Sequence, residues 1–138
     1  MIRILIGPKG TGKTKTFINM VNDAIKTEKG NTVCISTGDR HIFDIASDIR
    51  LVNIDEFSIK NVDAFYGLIS GIMSQNFDIT HIFIDSILKI VPMSLQEFND
   101  VIPCLEKISE KFNVEFTIAV SSEADAAMEN IAKYTVKL

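Results

Sequence analysis

The sequence predicts an α/β domain in which a mostly parallel sheet of five to six strands lies between layers of helices. Three observations predict it. Short apolar, β-branched runs alternate with longer segments of helical period along the whole chain. The run from Val114 to Val120 is nearly continuous in apolar character, as strands buried on both faces are. A glycine-rich turn joins the first strand to the first helix. The 138 residues suffice for one domain with a proper core, and no linker, repeat or low-complexity tract divides residues 1–138.

The first strand is Ile2 to Ile6, and the following helix carries Phe17, Met20, Val21, Ala24 and Ile25 at helical spacing, with Gly30 as its C-terminal cap. Thr32 to Ser36 is a β-branched second strand, and Arg50 to Ile54 a further short one. A helix from about Asn61 to Gln75 presents Val62, Phe65, Ile69, Ile72 and Met73 on one side. Gly67 and Gly71 weaken that helix and allow close packing against a neighbour. The strand His81 to Asp85 comes next. A helix from about Leu95 to Phe112 follows, opened by a capping box from Ser94 to Glu97 and kinked at Pro103. Ser121 and Ser122 end the central strand. Ser122 and Asp125 have capping spacing for a short alanine-rich helix, and Tyr134 to Leu138 reads as a closing strand.

Composition excludes several classes. No apolar run approaches the ~18 residues of a membrane span or the core of a signal peptide, so the expectation is a cytoplasmic protein. Net charge is −4 and basic residues are scattered, which argues against nucleic acid as an obligate partner. Cys34 and Cys104 lack metal-type spacing and read as small buried thiols, while His41 and His81 have no ligand partners near them in sequence.

Gly7-Pro8-Lys9-Gly10-Thr11-Gly12-Lys13-Thr14 reads G-x-x-x-x-G-K-T directly after the first strand. Glycines let such a loop wrap close to phosphates and turn its N–H groups inward, at the positive end of the next helix. Lys13 then reaches the β- and γ-phosphates, the Thr14 hydroxyl ligates Mg²⁺, and Lys15 follows on the first helical turn. The expected ligand is a nucleoside triphosphate, with ATP the first choice. A second acid belongs with such a loop, ending a buried strand and holding the Mg²⁺. Asp85, after His81-Ile82-Phe83-Ile84, fits better than its rival Asp55, because Asn53 interrupts the apolar run before Asp55-Glu56.

With these motifs the chain resembles the P-loop NTPase superfamily over nearly its whole length, and within it the RecA-like branch. That resemblance implies a three-layer α/β/α fold with Val114 to Val120 inserted between the loop strand and the Asp strand. It also implies a γ-phosphate-sensing position at Ser121. In length, and in the runs Asp63-Ala64-Phe65-Tyr66-Gly67 and Asp78 to Asp85, the chain is similar to small stand-alone P-loop proteins of Gram-positive anaerobes. Those are often labelled ATP-binding or twitching-motility proteins. Only nucleotide binding carries over, because the longer chain and the additional acidic and histidine motifs of a pilus-retraction ATPase are absent.

One departure bears on catalysis. Hydrolytic members place a glutamate directly after the strand-end Asp to orient water, and here Ser86 stands in that position, which implies slow or absent hydrolysis. Glu56 substitutes for it if the Asp55 strand lies beside the Asp85 strand. Arg40 and Arg50 are the arginines available as fingers across a homo-oligomeric interface. The leading expectation is a minimal ATPase or ATP-dependent switch. A non-catalytic nucleotide-binding subunit working with a protein partner is the alternative. A small-molecule or nucleoside kinase is less favoured, since Asp55-Glu56-Phe57 only loosely resembles the thymidine-kinase acidic motif and residues 86 to 114 contain no arginine.

Overall fold

The computed structural model describes residues 1–8, 10, 12–38, 44–122 and 128–136. In chain order the elements are β1 (Ile2–Gly7), α1 (Lys13–Thr27), β2 (Asn31–Ser36), β3 (Arg50–Asn53), a 3₁₀ turn (Ile54–Glu56) and α2 (Val62–Gln75). They continue as β4 (Ile79–Ile84), the short α3 (Ile87–Ile90), α4 (Leu95–Phe112), β5 (Glu115–Ser121) and α5 (Glu129–Tyr134).

The five strands form one sheet in the order β1-β5-β4-β2-β3, and every pairing among them is parallel. The nearly continuous apolar strand β5 therefore lies between β1 and β4, the position the resemblance implies for it. It is covered on both faces because successive side chains alternate between them. Leu5, Cys34, Phe83 and Ala119 pack with Phe17, Val21 and Ala24 of α1 on one side. Ile4, Ile35, Ile84, Ile118 and Val120 pack on the other with Phe65 and Ile69 of α2 and with Phe98, Ile102 and Leu105 of α4. Phe17 meets Phe83 edge to face, with ring centroids 5.8 Å apart, a favoured aromatic geometry.

Helix ends follow local chemistry. The Asn61 side chain caps α2 by accepting from the Ala64 N–H, and Ser94 and Glu97 form the expected reciprocal capping box on α4. Helix α4 runs unbroken through Pro103. Proline cannot donate to the Asn99 carbonyl four residues earlier, and that carbonyl instead accepts from Asn130 Nδ2 at 3.0 Å. The Asn99 Oδ1 in turn accepts from the N–H groups of Asn130 and Ile131, both at 3.1 Å, so one buried asparagine docks the first turn of α5 on α4.

Several expectations are corrected. Helix α1 ends at Thr27 with extended Glu28 as its cap, so Gly30 is no helix cap. A Cβ at Gly30 would fall 2.1 Å from the Asp78 carbonyl oxygen, so glycine serves the close approach of two chain segments. A Cβ at Gly67 or Gly71 would meet nothing within 4 Å, and instead of a packed neighbour the two glycines line an open groove with Val52, Phe57, Leu68 and Ile72. Tyr134 belongs to α5, and the expected closing strand reduces to a parallel bridge from Thr135 to Ile4 on the free edge of β1. Residues 137–138 lie outside the described residues, as do Asp125 of the Ser122 capping pair, His41 and Arg40. Cys34 is buried as expected, but Cys104 is exposed, because it falls off the buried Phe98-Val101-Ile102-Leu105 stripe of α4.

Candidate functional site

The loop from Gly7 to Thr14 begins where β1 ends and leads into α1, at the carboxyl edge of the sheet. This is the edge where α/β folds bind ligands. Gly10 and Gly12 both have φ of +83°, a left-handed conformation that L side chains rarely adopt, and nothing lies within 4 Å of either Cβ position. Space beside both glycines is therefore open. Pro8, Gly10 and Gly12 are exposed, and Lys9 and Thr11 lie outside the described residues. The Gly12 carbonyl accepts from Thr16 N–H at 3.1 Å, which starts the α1 ladder directly after the turn.

Lys13 is 6% exposed, and its Nζ donates to the Pro8 carbonyl at 2.8 Å. Its ammonium is thereby folded over the loop. Thr14 and Lys15 are exposed on the first turn of α1. At the other end of the loop Gly7 is in register with Ser121, and its carbonyl accepts from Ser122 N–H at 3.1 Å. The end of β5 is therefore tied to the start of the loop.

Asp85 directly follows β4 and is 2% exposed. Its N–H donates to Ile35 O at 2.9 Å, and its carboxylate accepts from Ser86 Oγ at 3.1 Å. By the alternation along β4 it shares the α1-facing side with Phe83. Its charge acts on Cys34 of β2 accordingly. Burial and then Asp85 push that thiol up to about 12. Ser86 has φ of +51°, a strained value for a residue with a Cβ, immediately after the acid. With β5 between them, β1 and β4 lie about 10 Å apart, two strand spacings. The sheet thus brings the loop and Asp85 to neighbouring points of one edge.

Asp55 and Glu56 do not join them. They occupy the 3₁₀ turn after β3, and β2 separates β3 from β4, so the adjacency required for Glu56 to replace the missing glutamate is absent. Glu56 is exposed. Asp55 is engaged in stapling the β2 exit: its Oδ2 accepts from Thr37 Oγ1 at 2.7 Å, while Asn53 Oδ1 accepts from Gly38 and Asp55 N–H groups. Arg50 begins β3 at the amino edge, away from the loop within its own chain.

Sequence reasoning missed the surroundings of His81. Buried at the amino end of β4, its Nδ1 lies 2.7 Å from Glu28 Oε1 and 3.6 Å from Glu115 Oε2, and its Nε2 lies 2.8 Å from Thr117 Oγ1. Burial lowers the imidazole pKa below its ordinary value, against the opposing pull of Glu28 and Glu115. These partners are 53 and 34 positions away in sequence, so only strand order could have revealed them.

No helix among the described residues is long and apolar enough to cross a membrane. No family model matches the chain, and no curated protein matches it.

Proposed function

We propose that this chain binds a Mg²⁺-nucleoside triphosphate, ATP in the first instance, and works as a nucleotide-dependent switch of the P-loop NTPase kind with low intrinsic turnover. The observation that carries the reading is the turn between β1 and α1: G-x-x-x-x-G-K-T, with Gly10 and Gly12 left-handed and open and Lys13 folded over the turn. Such a cradle suits an anion, since inward N–H groups and the helix N-terminus favour negative charge.

On this reading Lys13 exchanges the Pro8 carbonyl for phosphate oxygens, replacing a neutral acceptor by a charged one. Thr14 and Asp85 would hold the Mg²⁺, whose chemistry is to neutralise charge on the β- and γ-phosphates. On this reading a change at the loop passes to Ser121 and Ser122 through the backbone pairing of β5 with Gly7. Two observations support low turnover. Ser86 occupies the place of a water-orienting glutamate, and Glu56 is two strands away from Asp85. A partner supplying the missing group is the second reading, favoured by that same vacancy in the catalytic pattern. A kinase role for Asp55 has less support, because its carboxylate is bound to Thr37.

Titration with Mg²⁺-ATP and Mg²⁺-GTP, followed by phosphate release on the same sample, tests the proposal. Binding with little release supports it, rapid release would make the chain an ATPase in its own right, and absence of binding at millimolar nucleotide would end the reading.

A further inference from the structure

The amino edge of the sheet carries a polar cluster that nucleotide binding does not use. His81 lies four residues before Asp85, roughly 13 Å along β4. Its register partner on β5 is Glu115, and α1, crossing back over the sheet, delivers Glu28 just beyond its last residue. One ligand atom from each of Glu28, His81 and Glu115 lies within 4.8 Å of the other two. The cluster faces a cavity of about 450 Å³ also lined by Arg3, Met20, Asp23 and Thr27.

We propose that Glu28, His81 and Glu115 form a site for a divalent transition cation of the Zn²⁺ type, with water from the cavity completing its coordination. An imidazole nitrogen with two carboxylate oxygens is a donor set suited to such ions. Metal bonds of ~2.1 Å in tetrahedral geometry set ligand atoms ~3.4 Å apart. The observed separations of 2.7 and 3.6 Å from His81 Nδ1 bracket that value, and the two flexible glutamates span the difference. One Nδ1 proton serves only Glu28, and Glu115 at 3.6 Å stands beyond hydrogen-bond reach of it, whereas a dication engages both carboxylates.

The second ring nitrogen is prepared for this. Coordination through Nδ1 requires the proton on Nε2, and Thr117 Oγ1 at 2.8 Å can accept it, since a hydroxyl serves as donor or acceptor by rotation. Stacking on Phe83, with centroids 4.0 Å apart and planes 11° from parallel, holds the ring in orientation.

The test is calorimetric titration of the metal-free chain, without nucleotide, with Zn²⁺, and with Co²⁺ followed by visible absorption. The expected result is one equivalent bound with four-coordinate Co²⁺ bands. Glu28→Gln and Glu115→Gln should each weaken binding at least ~10-fold, and Thr117→Val about 10-fold. Lys13→Ala should leave it unchanged, which separates this site from the phosphate loop. Glu115 is part-exposed, so its variant remains informative even if substitutions at His81 prevent folding. No binding at millimolar Zn²⁺, or binding that both glutamate variants leave intact, would overturn the proposal.

Discussion

The Lys13 ammonium is nearly enclosed, yet it donates to a neutral carbonyl, that of Pro8. A phosphate oxygen in that place makes a charge-assisted bond worth roughly 1.5 to 3 kcal/mol. Lys13→Ala should therefore lower nucleotide affinity ~10- to 150-fold in a calorimetric titration while circular dichroism shows the fold intact. The two cysteines allow a second test. Exposed Cys104 should react with an aromatic disulfide reagent in the native chain, and buried Cys34 only on unfolding. Because the folded Cys34 thiol holds its proton from the ordinary 9.0 up to about 12, the folded state binds more protons than the unfolded in that window. Stability then falls as pH rises through it, by about 1 kcal/mol per unit. Cys34→Ala lacks this loss, so its destabilisation relative to the natural chain should shrink between about pH 8.5 and about pH 10.5 in urea unfolding. At this scale the turn between β1 and α1 was legible because its glycine pattern is local in sequence. The exposure of Cys104 was also legible, from its place off the α4 stripe, and was misread.

Elements were read best where they carry their own end signals. The capping box at Ser94 and Glu97 appears where the sequence puts it, and the helix expected from about Asn61 begins at Val62 with Asn61 as its cap. The local effect of Pro103 is legible in the sequence and its remedy is not: the stranded Asn99 carbonyl is satisfied by Asn130, 31 residues on. Helix α5 has six residues and is too short to hold by itself, so it depends on this docking. Asn99→Ala should remove both acceptor contacts to its first turn and cost about 2 to 3 kcal/mol, read as a lower urea midpoint. Loss of less than about 0.5 kcal/mol would mean that α5 is held by Ile131 packing and the Asn130 bond to the residue 99 carbonyl, without the Asn99 side chain.

At the scale of the molecule, strand order decides which residues can act together. The alternating pattern implied a parallel sheet, but the order β1-β5-β4-β2-β3 is set by long-range packing that a linear pattern does not carry. It keeps Asp85 near the loop, removes Glu56 from it, and assembles Glu28, His81 and Glu115 at the opposite edge. A ligand that binds only the folded chain must stabilise it. Mg²⁺-nucleotide at 100 times its dissociation constant should add about 2.7 kcal/mol and raise the melting temperature by roughly 10 °C, an increase that Lys13→Ala should cut by about half or more at the same concentration.

The most direct test of the central claim is calorimetric titration of the natural chain and its Lys13→Ala variant with Mg²⁺-ATP and a non-hydrolysable analogue. The account predicts one equivalent bound by the natural chain, equally for ATP and analogue, and binding weakened at least ~10-fold in the variant. No heat of binding at millimolar nucleotide, or equal affinity in both proteins, would contradict it.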